Sequence, residues 1–321
     1  MTHKLLRSRT LVSLAALLCI TLAACGDDGD AASDADSDAT TTTAAEAASA
    51  NTLEIEMVEY GYKVEGELQP GLATVQSRNS GTEWHMAGIS KLRAGKTVED
   101  VVQALAAAPP GGGEGEDDPL EGLIEEEQID SPGHLLQPGA SQSLTVDVLT
   151  EGEYVMLCFI PAEGGGGPHY SKGMVGGFAV AGEAAEATEP EADITVTLAD
   201  GAEPEGLPEK LEPGTHTLAL TATGEASKDF LVAQMNSGDD VGEFDTYFEE
   251  AFEGEGRPEK GAATKAPGKI LANTQAIAPG MTVWMTLEIG AGETVFLSTT
   301  NPADDEEDAE PVDKTVTVTV S

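Results

Sequence analysis

Basic residues are few in this 321-residue chain: 16 Lys and Arg stand against 58 Asp and Glu, for a formal net charge of −42. Such a chain repels nucleic acid and anionic lipid headgroups, so neither is expected as a partner. Its acidic surface confers solubility, with basic partners or cations as the only charges it attracts. Long apolar runs are also missing after the first two dozen residues, so no later segment is expected to span a bilayer. Familiar catalytic patterns are absent too. There is no Ser-His-Asp arrangement in context, no HExxH, no CxxC pair and no phosphate-cradling glycine loop. The expectation from these absences is a chain that is not an enzyme.

The N-terminus reads as a targeting segment, residues 1–24, to be set aside before the fold is considered. Lys4, Arg7 and Arg9 precede an apolar stretch from Leu11 to Leu22 that is short for a membrane span. It ends in Leu22-Ala23-Ala24-Cys25-Gly26, which resembles a lipobox. That resemblance implies lipidation of Cys25, anchorage to the cell membrane and an extracytoplasmic location. Residues 25–51 are mainly Asp, Ala, Ser and Thr and contain no aromatic residue, the composition of a disordered acidic tether. Of three cysteines, Cys19 leaves with the signal segment and Cys25 takes lipid, so Cys158 remains as an exported thiol without a disulfide partner. It is either an inert core residue or a metal ligand.

About 270 residues follow the tether, enough for two domains of ordinary size. Short alternating runs such as Leu53 to Val58, Ser143 to Val148 and Thr315 to Val320 predict half-buried strands, separated by Pro-Gly and Gly-rich turns. Helical spacing appears over Thr97 to Ala107 and Asp240 to Phe252, after Thr97 and Asp240 as N-caps. The order repeats at an offset of about 140 residues. Leu53 to Val58 answers to Asp193 to Leu198, Pro70-Gly71 to Pro213-Gly214, Met86 to Leu92 to Asp229 to Met235, and Pro138-Gly139 to Pro279-Gly280. Ser80 to His85 answers to Thr223 to Lys228, and Glu151 to Cys158 to Ala291 to Ser298, which places Lys228 and Ser298 opposite His85 and Cys158. The domains expected are 52–181 and 193–321, joined by an Ala/Glu-rich linker, 182–192. Pro109 to Asp130 and Gly254 to Lys269 are expected to be long acidic surface loops. His134 and His216 are expected at the surface.

Around the lone thiol the sequence becomes specific. Asn79-x-Gly81-x-x-x-His85 precedes a strand, Tyr154 to Phe159 ends one, and His169-x-x-x-x-Met174 leads into Phe178-Ala179-Val180. One Cys, two His and one Met from two loops at one end of a sandwich form the ligand set of a blue-copper centre. Taken singly, the thiol and His85 also suit a packed core, and His169 a surface position. With these motifs the chain resembles the cupredoxin family of plastocyanin-like proteins, in full over Leu53 to Val180 and in outline over the second repeat. The resemblance implies an all-β chain of two tandem Greek-key β-sandwiches, each with one inserted helix. It also implies a single copper ion held by His85, Cys158, His169 and an axial Met174. The second repeat would be degenerate, without metal ligands. The function so implied is copper binding for electron transfer or copper handling, with a redox or copper-handling protein as partner. A metal-free cell-envelope module for binding or structure is the other reading. Ten residues separate Cys158 from His169, where small cupredoxins have only a few, and Gly164 to Gly167 within them are costly to order.

Overall fold

The computed structural model describes residues 51–107, 119–125, 134–163, 167–239, 242–243, 266–301 and 311–321. The targeting segment, Cys25 and the tether up to Ala50 lie outside the described residues. So does the helix expected at 240–252, apart from Gly242 and Glu243. No helix among the described residues is long and apolar enough to cross a membrane.

The chain is dominated by strands, as the alternating runs predict. Its first half holds β1 (Thr52–Val58), β2 (Gly61–Glu65), β3 (Gly71–Asn79), β4 (His85–Lys91), α1 (Val98–Ala107), β5 (His134–Leu136), β6 (Ser141–Leu149), β7 (Gly152–Leu157) and β8 (Val175–Val180). The second holds β9 (Ile194–Leu198), β10 (Lys210–Leu211), β11 (Gly214–Ala222), β12 (Lys228–Met235), β13 (Gly268–Ile277), β14 (Thr282–Ile289), β15 (Gly292–Thr300) and β16 (Val312–Val320). Alternation has its usual consequence: Leu53, Ile55 and Met57 of β1 are buried while Glu54 between them is exposed. These residues join Val75, Leu144, Ile89, Met156 and Phe178 in one apolar core, so β1, β3 and β6 face β4, β7 and β8.

Pairing follows the repeat. β1 runs parallel to β3 and antiparallel neighbours continue to β6; β9 runs parallel to β11, which pairs antiparallel with β14. In the facing layers, Gly88 of β4 pairs with Leu157 of β7, and Leu231 of β12 pairs with Leu297 of β15. That register carries the alignment of His85 with Lys228 and Cys158 with Ser298 into three dimensions.

One feature is not legible from the repeat. β6 pairs with β14 through Thr145↔Trp284, Leu144↔Met285 and Ser143↔Thr286, so strands of both halves form a single seven-stranded sheet, β2-β1-β3-β6-β14-β11-β9. The other sheets are β5-β4-β7-β8 and β10-β16-β15-β12-β13. Side-chain amides bind the halves further. Asn273 exchanges hydrogen bonds with the backbone of Leu135, and Gln142 does so with the backbone of Asn273 at 2.8 and 2.9 Å. Gln137 accepts from Ile270 N–H at 2.9 Å. Each bond satisfies a backbone group where the halves meet.

Helix α1 begins where expected. Thr97 Oγ1 accepts from Asp100 N–H, and the Asp100 carboxylate accepts from Thr97 N–H, a reciprocal cap. Val101 and Leu105, one turn apart, cover Val155 and Leu157 of β7. β7 is therefore buried on both faces, which accounts for its unbroken apolar run Tyr154 to Cys158.

Two expectations need correction. The stretch Pro109 to Asp130 is not wholly a surface loop: Leu120 is buried, and Leu123 and Ile124 pack with it beside α1, with Ile124 bridging Leu92. In the second such stretch, Gly268 and Lys269 already belong to β13. His134 is not at the surface. It lies on β5 opposite Ala87, fully buried, with neither ring nitrogen bonded among the described residues. Burial holds its imidazole neutral, with its pKa pushed down to about 3. A three-residue strand gives no periodicity from which to foresee this.

Candidate metal centre

His85 opens β4, and Cys158 follows the last residue of β7. His169 begins a single 3-10 turn to Lys172, and Met174 precedes β8. The turn before His85 is fixed by Asn79, whose Nδ2 donates to Glu83 O at 2.9 Å and to Leu136 O at 2.8 Å. Its Oδ1 accepts from Gly81 N–H at 2.8 Å. A Cβ at Gly81 would fall 2.5 Å from His85 Nε2 and 2.9 Å from Glu59 Oε1, so only glycine fits beneath the imidazole.

The long segment after Cys158 is pinned at its base. Pro161 bridges Pro168, Ala162 N–H donates to Gly167 O at 3.1 Å, and His169 N–H donates to Ile160 O at 2.9 Å. Tyr170 N–H then returns to Cys158 O at 2.9 Å, and Met174 N–H bonds His169 O at 3.1 Å. The described ends of the segment, up to Glu163 and from Gly167 on, are therefore closed on each other. The place of His169 is set by backbone bonds on either side.

Three of the four expected donors meet. His85, Cys158 and His169 are fully buried, and their donor atoms all lie within 4.8 Å of one another. Nδ1 of His85 is 3.0 Å from Nδ1 of His169, and Cys158 Sγ is 3.4 Å from that same His169 nitrogen. Met86 N–H points at the sulfur from 3.2 Å. Met174 is also fully buried, in the apolar core that contains Cys158. Met86 and Met156 pack in that core. His216 is only half-buried and bonds Glu212 O at 2.8 Å, away from the cluster.

Burial governs the electrostatics. It pushes the Cys158 thiol up to about 12, against the opposing N–H groups of Met86 and Ile160. It pushes His85 down to about 4, aided by the neighbouring His169, and lowers His169 against the pull of Glu83. At neutral pH both imidazoles thus offer lone pairs, while the thiol surrenders a proton to any metal that binds. One soft sulfur and two imidazoles suit a late first-row transition metal better than magnesium or calcium. The set can hold one metal ion.

A fourth participant went unseen in the sequence. Glu83 Oε2 lies 3.0 Å from His169 Nε2 and accepts from Glu163 N–H at 2.8 Å, while Oε1 accepts from Tyr60 O–H at 2.9 Å. Burial alone would raise the Glu83 carboxyl, but these donors together hold it below its usual value. Tyr60 sets its ring edge-on to His169 at 5.1 Å, and Lys172 Nζ bonds the Tyr60 hydroxyl at 3.0 Å. One Glu among 58 acidic residues carries no signal of such a contact.

No family model and no curated protein sequence matches the chain. Among solved structures it is similar to dithionite-reduced auracyanin from Roseiflexus castenholzii: 27% identity, 41% of this chain and 98% of that one, TM-score 0.26. A multicopper oxidase shares 16% identity over 84% of this chain and 88% of its own, TM-score 0.22. The copper-containing nitrite reductase of Thermus scotoductus shares 12% over 84% and 61%, TM-score 0.20. The expectation that the chain is not an enzyme is corrected here, because this set of similar structures includes oxidases and a reductase. In strand order, in the Asn79-x-Gly81 turn and in the buried His-Cys-His cluster, the chain resembles the cupredoxins.

Proposed function

We propose that the chain binds one copper ion through His85, Cys158 and His169, with Met174 as a weak axial thioether, and serves electron transfer or copper handling. The observation that carries this reading is the convergence of three buried donors of the right softness, one from each of three segments. Bound copper supplies one-electron redox chemistry. The protein's part is to exclude water, present neutral imidazoles and hold the sulfur against Met86 N–H. Because backbone bonds fix Cys158, His169 and Met174 to one another, little rearrangement accompanies a change of oxidation state.

The same reading treats 52–181 and 193–321 as tandem cupredoxin-like Greek-key sandwiches, of which only the first takes metal. Lys228 and Ser298 supply neither imidazole nor thiolate, and no His follows Ser298. We further propose that Cys25 is lipidated and tethers the protein outside the cell membrane, where a redox or copper-handling partner would meet it. Cys25→Ser should move the protein from membranes to the soluble fraction and abolish fatty-acid labelling.

Copper uptake separates this reading from a metal-free binding or structural module. Purified protein loaded with Cu(II) should bind one equivalent and show an intense thiolate-to-copper visible band. A colourless protein that takes up no copper would sink the copper reading.

A further inference from the structure

Glu83 binds the outer nitrogen of His169, and its place is over-determined. Its carboxylate accepts from the ligand hairpin through Glu163 N–H and from the β1–β2 turn through Tyr60 O–H. Its side chain is 15% exposed, so solvent screens it only partly. An ionised carboxylate only accepts hydrogen bonds, so His169 donates from Nε2 and keeps its lone pair on Nδ1, the atom that faces His85 and Cys158. The internal repeat supplies a control. Ala226 stands at the position of Glu83, two residues before Lys228 as Glu83 is two before His85. The carboxylate is thus present in the half that carries the donors and missing from the half that lacks them.

The geometry points to Glu83 as a positioning residue of the copper centre, one that fixes the His169 ring with Nδ1 inward and whose negative charge favours Cu(II) over Cu(I). This rests on the copper reading above. A carboxylate one imidazole away from the metal stabilises the more positive ion, and the second-nearest groups around metal sites commonly govern both affinity and potential. Covering the outer edge of His169 with Glu83 and Tyr60 also keeps that nitrogen from water.

Two substitutions separate orientation from charge. Glu83→Gln keeps the shape and an acceptor oxygen but removes the charge. It should retain the visible band while the Cu(II)/Cu(I) preference shifts roughly tenfold toward Cu(I), a rise of about 59 mV in a one-electron redox titration. Glu83→Ala removes both and should weaken Cu(II) binding roughly 10–100-fold. An unchanged potential in the first variant, with unchanged affinity in the second, would overturn the assignment. Histidine nitrogen NMR on metal-stripped protein tests the orientation without copper. His169 should be a single Nε2–H tautomer in the parent and a mixture in Glu83→Ala; identical spectra would refute the positioning role. A parent protein that takes no copper would defeat the copper reading and the charge role with it, leaving the NMR comparison to decide the orientation.

Discussion

The two halves of this chain place different chemistry on the same pair of strands. In the first, His85 and Cys158 face a buried cluster of soft donors. In the second, Lys228 and Ser298 hold the matching positions on β12 and β15. Lys228 is fully buried, with Nζ 2.6 Å from both Asp200 Oδ1 and Ala226 O. Asp200 also accepts from Glu225 N–H, just as Glu59 accepts from Thr82 N–H beside His85. Each half thus keeps a carboxylate at the same turn. Where the strand offers an imidazole, that carboxylate stands near a metal-binding cluster; where it offers an ammonium, the two close as an ion pair. The comparison shows that this end of the fold accommodates a polar centre of either kind, provided its charges are answered locally.

The largest effect should come from the position that separates thiolate from hydroxyl. Cys158→Ser should abolish the visible band and cost more than the roughly hundredfold that outer partners cost in metal affinity, measured by competition titration. Next is the carboxylate pair. Asp200→Ala strands a buried ammonium with only the Ala226 carbonyl and should lower stability by about 2–3 kcal/mol in urea unfolding. Glu59→Ala, at an exposed residue, should cost under about 0.5 kcal/mol. Equal losses at the two positions would break the comparison.

Acid should also tell the halves apart. His85, His134 and His169 are buried neutral in the first half, whereas the single histidine of the second, His216, is only half-buried. The folded His134 pKa, about 3, lies below the ordinary value of 6.5, so the unfolded chain binds the extra proton between them. Stability is unaffected above pH 6.5 and falls as pH drops toward 3, by about 1.4 kcal/mol per pH unit from this residue. Thr274, paired with Phe230 as His134 is with Ala87, is the matching residue of β13 and does not titrate. His134→Thr should flatten the slope in unfolding curves taken across that range. Ser298→Ala should leave copper binding untouched and change stability by less than about 1 kcal/mol, toward stabilisation. The Ser298 hydroxyl is buried without a hydrogen-bond partner among the described residues.

Much of this was legible because it is written in local pattern. Alternation located β1, β6 and β16, the Thr97 cap located α1, and residue type with family order located His85, Cys158 and His169. What escaped depends on distant segments meeting. Glu83 matters because the ligand hairpin folds back onto it. The burial of His134 follows from a strand too short to show a period, and the glycine-rich loop is tied by backbone bonds that composition does not encode. The β6–β14 pairing joins residues about 140 apart whose sequences specify strands but not neighbours.

That shared sheet has a consequence for how the molecule comes apart. Cutting the exposed linker at 182–192 would sever the chain without separating its halves, because β6 and β14 and the amides of Gln137, Gln142 and Asn273 still hold them. Either half alone would present a naked strand edge as a template for its own kind. The expectation is that the two halves unfold together, so that probes placed in each half report coincident transitions.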